Sequence, residues 1–263
     1  MSDLDKNLIR AQVAKLLEHV GEPEAFDAGL HDLLRALGSK ENVAGAARFI
    51  PGLGESYGAP VPALRIIASE LAKWGQRHAE EAFALVERLW RNGSRDERVI
   101  AAKMLERLGK REPQVTLEVA ASFVGTLRNW EECDQLGCFG LREVVQRCPG
   151  LVLPRCRDWV GDEDTWTRRF GVVVLTSLPK AKAYQPSGEE FAVLEAVMAD
   201  GAREVQDAVA WALREIGKRH PGAVAEYVRR HAPGANRATR RIITQALKAL
   251  PDAEQAALRA LLA

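Results

Sequence analysis

Three short segments of the sequence place a tryptophan and a charged side chain three or four residues apart. The pairs are Trp130 with Asp134, Trp166 with Arg169, and Trp211 with Arg214. Residues at these spacings share one face of a helix, so each segment puts an indole beside a carboxylate or a guanidinium if it is helical.

These side chains suggest a site for a cation that lies next to a phosphate. An indole face attracts cations, and a carboxylate adds a full opposite charge. Arginine binds phosphate through a planar fork of N–H donors. An alkylated purine nucleotide whose glycosidic bond is breaking has both properties. The ordinary alternative is that each tryptophan belongs to the core and that Asp134 pairs with Arg169 within a repeat.

The surrounding sequence has helical periodicity almost throughout. In residues 208–220, apolar side chains recur every three or four residues at Val209, Ala212, Leu213 and Ile216. Similar patterns predict further helices near 3–20, 24–37, 60–74, 79–92, 96–109, 113–127, 130–147, 151–160, 163–177, 189–200, 221–231, 236–249 and 252–262. Strand-like runs are nearly absent, and residues 49–59 and 179–188 are predicted loops. Short helices joined by short turns predict an all-α fold, a right-handed α-solenoid of degenerate HEAT-like helical repeats.

Charge is balanced overall but not along the chain. The 263 residues contain 37 Lys and Arg against 36 Asp and Glu, which argues against a protein that coats nucleic acid by net positive charge. Residues 201–250, however, contain ten basic and four acidic residues, a local net charge of +6. On consecutive helices of a solenoid these basic side chains would align along one edge. A solvated surface is the ordinary alternative.

Other classes of protein are disfavoured by the sequence. The four cysteines fall between Cys133 and Cys156 without a CxxC pair, which favours buried thiols over a zinc site. Residues 1–10 lack the basic and apolar regions of a secretory signal, and no apolar stretch approaches the roughly 20 residues of a membrane span. We therefore expect a soluble cytoplasmic protein that does not bind membranes.

From about Tyr57 to His231 the chain resembles the AlkD-like DNA alkylation repair glycosylases, which are HEAT-like helical repeat proteins. Residues 57–65 are similar to the loop and helix at which that family's repeats begin, and residues 89–98 are similar to the next helix pair. The WxxxD, WxxRR-like and WxLRE motifs then follow in the family's order. The resemblance implies one domain over 1–263, with 1–50 as an amino-terminal helical cap and 51–263 as repeats carrying a DNA-facing concave surface.

The resemblance also implies an activity. It is hydrolysis of the N-glycosidic bond of positively charged N3- or N7-alkylated purines in double-stranded DNA, without base flipping and without a metal or organic cofactor. The expected catalytic residues are Trp130, Asp134, Arg169 and Trp211. The expected DNA-binding residues are Tyr57, Trp166, Arg168, Arg214, Lys218, Arg240 and Arg241. The protein is expected to be a monomer associated with the nucleoid.

The sequence departs from the family pattern at two places. Asp207 stands where the family commonly has a basic residue, and Phe170-Gly171 replaces the usual small residue. Two other functions therefore stay open. One is a non-catalytic relative that binds distorted or branched DNA; the other is a HEAT-type protein-interaction scaffold, which predicts apolar grooves instead of tryptophans beside charges.

Overall fold

The computed structural model describes residues 5–262. Sixteen α-helices, one π-helical turn and three short 3-10 turns make up their regular structure, and no strand occurs among them. The helices are α1 Lys6–Glu18, α2 Pro23–Leu37, α3 Lys40–Phe49, α4 Val61–Gly75, α5 Ala79–Asn92, α6 Arg95–Leu108, α7 Pro113–Phe123, α8 Trp130–Asp134, α9 Arg142–Arg147, α10 Pro149–Val160, α11 Thr165–Leu175, α12 Glu189–Glu195, α13 Arg203–Gly217, α14 Pro221–His231, α15 Arg237–Ala246 and α16 Asp252–Ala260. The predicted all-α helical repeat fold is confirmed.

The chain forms two compact units. The first unit comprises Met1–Phe123 and Arg128–Leu141, and the second comprises Val124–Leu127 and Arg142–Ala263. In the first unit, α4 packs between α1 and α6, and α5 packs on α4, α6 and α7. Contacts between a helix and the second helix after it are typical of stacked helical repeats. Helix α6 is the most enclosed helix of this unit, with buried side chains on every face.

The second unit repeats this pattern. Helices α11, α13 and α15 are successive neighbours; α10 and α12 pack on α11, α14 packs on α13, and α16 packs on α14. Helix α11 approaches α10 closely at Gly171, where an added Cβ would lie 3.0 Å from the Cβ of Trp159. The preceding residue, Phe170, is fully buried and packs edge-on against Trp159, with ring centroids 4.9 Å apart. The Phe170-Gly171 departure from the family pattern thus fills the contact between α10 and α11.

Two elements differ from the sequence prediction. Helix α3, capped by Ser39, was not predicted, and it has no buried residue. The predicted helix 130–147 is instead α8, a π-helical turn over Gln135–Gly140, and α9. The turn ends where the Leu141 N–H bonds the carbonyl of Leu136 at 3.0 Å, five residues earlier. Glycines within this turn lower the preference for a regular helix. Within residues 5–262 no helix is long and apolar enough to cross a membrane.

Gly38, between α2 and α3, is required by a close backbone approach. A Cβ at this position would lie 1.9 Å from the carbonyl oxygen of Tyr57. Because this oxygen belongs to the backbone, a change of side-chain rotamer cannot relieve the clash. Gly38→Ala is therefore expected to lower the free energy of unfolding by about 1–3 kcal/mol, measured by urea denaturation. Gly45→Ala is the control, because an added Cβ meets nothing within 4 Å there and should stabilise exposed helix α3 slightly. Equal stability of the two variants would contradict the expected clash.

Candidate active site

Helix α8 carries the first two predicted catalytic residues, one turn apart. Trp130 begins the helix and Asp134 ends it, and both are half-buried. The buried Asn129 caps the helix, since its side chain accepts a 3.0 Å hydrogen bond from the Glu132 N–H. The Trp130 indole N–H donates to the carbonyl of Phe49 at 2.9 Å, so the end of α3 orients this side chain.

Two arginines of α6 hold the glutamates between Trp130 and Asp134. Arg95 forms a bidentate pair with Glu131, with N–O distances of 2.7 and 2.6 Å. Arg98 pairs with Glu132 at 2.9 Å, and Glu132 also accepts a 2.9 Å hydrogen bond from the Arg128 N–H. The paired side chains are only 9–13% exposed. Both glutamates of α8 are therefore bound by ion pairs to α6, the most enclosed helix of the first unit.

The two arginines differ in how well the pairing compensates for burial. Burial acts to lower the pKa of Arg95, but the hydrogen bonds and charge of Glu131 outweigh it and raise that pKa. Burial lowers the pKa of Arg98, and the charge of Glu132 does not fully offset it. Arg98 also lies over the Trp90 ring, 5.0 Å from its centroid. Arginine stays charged at neutral pH in either case, so both pairs are ionic.

Asp96, also on α6, fixes the loop that contains Tyr57. The carboxylate is fully buried and accepts hydrogen bonds from the Ser56 hydroxyl at 2.7 Å and from the N–H groups of Tyr57 and Ala59 at 2.9 Å. The Tyr57 ring stacks on His31, with centroids 5.4 Å apart. Burial, together with the charge of Glu97, raises the pKa of Tyr57. Its hydroxyl is thus protonated at neutral pH and can donate a hydrogen bond to phosphate.

The structure adds Phe49 to the predicted residues beside Trp130, and Arg48 precedes it in α3. The Phe49 side chain is 76% exposed although its carbonyl accepts the Trp130 hydrogen bond. Arg48 is exposed too. The sequence did not identify this pair because it predicted no helix at Lys40–Phe49 and treated residue 49 as the start of a loop. The one signal in the sequence was a basic residue followed by an aromatic residue, Arg48-Phe49, just before the glycine-rich segment 50–59.

In the second unit, Arg169 and Arg168 have different surroundings on α11. Arg169 is 6% exposed, and it donates a 2.8 Å hydrogen bond to the carbonyl of Glu204 in the first turn of α13. Arg168 pairs with Asp200 at 2.7 Å and donates to the carbonyls of Asp162 and Glu163. The adjacent Trp166 is half-buried. Arg168 therefore needs to exchange internal partners before it can bind a phosphate.

Trp211, the last predicted catalytic residue, lies on α13 next to α11. Its ring is half-buried, and the indole N–H donates to Glu215 at 3.2 Å. Lys218 pairs with the same carboxylate at 2.5 Å. Arg214 is half-buried, and no hydrogen bond or ion pair of its side chain is found within residues 5–262. Its guanidinium therefore needs to give up no internal partner to bind a phosphate, whereas the Lys218 ammonium is paired with Glu215.

Arg240 and Arg241 of α15 already have partners inside the protein. Arg240 donates to the carbonyls of Ala235 and Leu262. Arg241 pairs with Asp207 at 2.6 Å, so the acidic residue that departs from the family pattern neutralises a neighbouring arginine. Internal partners therefore neutralise or occupy part of the basic excess of residues 201–250. DNA contact by Arg240 and Arg241 stays a prediction.

The predicted residues divide between the two units. Tyr57, Trp130 and Asp134 belong to the first, and the remaining catalytic and DNA-binding candidates belong to the second. Among residues 5–262, no three His, Cys, Asp or Glu side chains are grouped in a way that could hold a metal ion.

Comparison with known families identifies the chain. A family model described as DNA alkylation repair enzyme matches residues 30–250. The chain belongs to this family of DNA alkylation repair enzymes. No curated protein matches the chain. Membership of the DNA alkylation repair enzyme family makes DNA its partner and repair of alkylated DNA its role. The match spans all the predicted site residues and the α6 residues that hold α8.

Proposed function

We propose that this family member is a monofunctional DNA glycosylase. It hydrolyses the N-glycosidic bond of N3- or N7-alkylated purines in duplex DNA, without flipping the base, and so begins base excision repair. The observation that carries the proposal is the placement of Trp130 and Asp134 one turn apart on α8, a short, capped helix that buried ion pairs hold in place. A carboxylate and an indole fixed one turn apart are suited to stabilise a cation as it forms.

The proposed reaction needs one carboxylate and no acid for the leaving group. An alkylated purine already carries positive charge, so it leaves as a neutral base when the bond to C1′ breaks and takes the electron pair. The deoxyribose then has oxocarbenium character, which Asp134 stabilises electrostatically. Water adds its oxygen to C1′, and its proton passes to the Asp134 carboxylate.

Aromatic and basic side chains complete the proposed contacts with DNA. In the first unit, the Trp130 indole is proposed to face the cationic sugar. In the second unit, Trp211 and Arg169 are proposed to contact DNA, the first through its indole and the second through a phosphate. Arg169 is 6% exposed and donates to the Glu204 carbonyl, so in this role its guanidinium has to exchange that internal partner for the phosphate, as Arg168 does. Exposed Phe49 and Arg48 of the first unit are suited to contact DNA, the ring through apolar packing and the guanidinium through phosphate.

The experiment that tests the proposal compares cationic with neutral lesions. Purified protein is incubated with duplexes containing 7-methylguanine, 3-methyladenine, hypoxanthine or uracil, and released bases are measured by mass spectrometry. We expect release of the two cationic bases alone, because the neutral ones need protonation that the site does not supply. Release of the neutral bases at a similar rate would contradict the proposed mechanism, and binding without release would favour a non-catalytic DNA-binding relative.

One feature favours the scaffold alternative. A largely apolar groove of about 500 Å³ lies between α1 and α2, lined by residues that include Leu8, Ile9, Leu16 and Leu33. The groove contains none of the residues that carry the family resemblance. If the protein failed to bind DNA in the lesion assay, this groove would be the surface to test for a helical partner.

We propose further that the enzyme acts as a monomer in the cytoplasm, associated with the nucleoid.

A further inference from the structure

The segment that contains the candidate carboxylate has a high local negative charge for a surface that is proposed to meet DNA. Residues 131–134 include Glu131, Glu132 and Asp134, three carboxylates on little more than one turn of helix. DNA brings a dense array of phosphates to any site that acts on it. Like charges at this separation repel, so unneutralised glutamates would oppose binding of the backbone.

Helix α6 supplies one arginine for each glutamate. Arg95 approaches Glu131 through two hydrogen bonds, and Arg98 meets Glu132 at 2.9 Å. The partners are 36 residues apart along the chain for the first pair, so the pairing is tertiary and not a property of α8 alone. An arginine fork that meets a carboxylate at two atoms fixes direction as well as distance.

We propose that Arg95 and Arg98 are positioning residues for the candidate active site. They hold α8 in one orientation, and they neutralise Glu131 and Glu132 so that these glutamates add no net charge beside Asp134. This inference rests on the proposed function and deepens it.

The short length of α8 makes this support necessary. A helix of five residues that leads directly into a π-helical turn has little stability of its own. The end cap from Asn129 fixes where α8 starts, and the Trp130 hydrogen bond to Phe49 fixes one side chain. Within residues 5–262, the ion pairs of Arg95 and Arg98 join the two glutamates of α8 to the buried α6. Loss of one arginine therefore removes one of the few restraints on α8, and a small rotation of this short helix would displace the Trp130 indole and the Asp134 carboxylate together.

The main test removes one pair without leaving a buried charge. Arg95→Met combined with Glu131→Met keeps the volume apolar, so the protein should fold. We expect its single-turnover rate of 7-methylguanine release to fall at least about tenfold, because small displacements of reacting groups slow catalysis strongly. The dissociation constant for DNA should stay within about threefold of the wild-type value. Arg95→Lys, which keeps the charge and loses the fork, should fall between the wild type and the double variant.

A single substitution separates positioning from neutralisation. Arg95→Met alone leaves the Glu131 carboxylate without its partner, so DNA binding should weaken severalfold in addition to the loss of rate, and most at low salt. The control is Arg88→Met combined with Asp27→Leu. That pair, at 3.2 Å and 22% exposed on each side, also lies in the first unit but joins α5 to α2. The control should release bases at the wild-type rate.

A spectroscopic measurement keeps this inference distinct from the proposed function. The indole ¹H–¹⁵N resonance of Trp130, assigned by its loss in Trp130→Phe, reports the hydrogen bond to Phe49. We expect it to shift in the Arg95/Glu131 double variant and not in the control. An inactive wild type would overturn the proposed function, and the resonance would still decide whether the pair holds α8. A folded double variant with the wild-type rate, or with an unmoved resonance, would overturn the positioning role.

Discussion

Asp134→Asn is expected to release 7-methylguanine from duplex DNA about 10²–10³-fold more slowly than the wild-type protein. The amide has almost the shape of the carboxylate, but it carries no charge to stabilise an oxocarbenium ion and cannot accept the proton of the attacking water. DNA binding should not weaken, because the substitution removes a negative charge from a surface that meets phosphates. Single-turnover rates and dissociation constants, measured separately, will check both expectations.

The matched control for this variant is Asp158→Asn. Asp158 is an exposed carboxylate of α10, so its replacement changes the net charge equally. We expect it to keep the wild-type rate. If Asp134→Asn also kept a rate within about threefold of the wild type, then Asp134 would not take part in the chemistry. Base release would then have to be assigned to other residues.

Asp96→Asn is expected to lower the free energy of unfolding by about 2–4 kcal/mol and to slow base release. Its carboxylate is fully buried and accepts three hydrogen bonds, two of them from backbone N–H groups of the Tyr57 loop. The amide replaces one accepting oxygen with a donor, so at least one buried N–H loses its partner. Urea denaturation followed by circular dichroism will measure the change.

Asp32→Asn is the control for the effect of charge on stability. Its side chain is 79% exposed and pairs with Arg35 within α2 at 2.8 Å. Exposed pairs of this kind contribute little, so a change of no more than about 0.5 kcal/mol is expected. If Asp96→Asn were as mild as this control, the loop would not depend on Asp96, and Tyr57 would be held by its stacking on His31.

The helices were predictable because the pattern that specifies them is local. Apolar side chains every three or four residues identify α13, and the turn residues around it identify its ends. The chemistry on α8 was predictable for the same reason, since Trp130 and Asp134 are four residues apart. Local rules were wrong where propensity and packing disagree. Helix α3 is rich in alanine and has no buried face, so its sequence lacks the apolar periodicity that predicts a helix. A π-helical turn replaced the middle of another predicted helix.

The sequence by itself determined the all-α class, the order of the Trp and charged motifs, and the resemblance to a DNA repair family. Only the tertiary structure decided which groups form hydrogen bonds and ion pairs with the side chains of those motifs. The Trp130 indole meets a carbonyl 81 residues away, and Glu131 meets an arginine 36 residues away. Arg241 is paired with Asp207, where the sequence suggested a surplus of positive charge. Such partners depend on how helices pack, because ion pairs and hydrogen bonds form between neighbours in space, and spacing along the chain does not specify those neighbours.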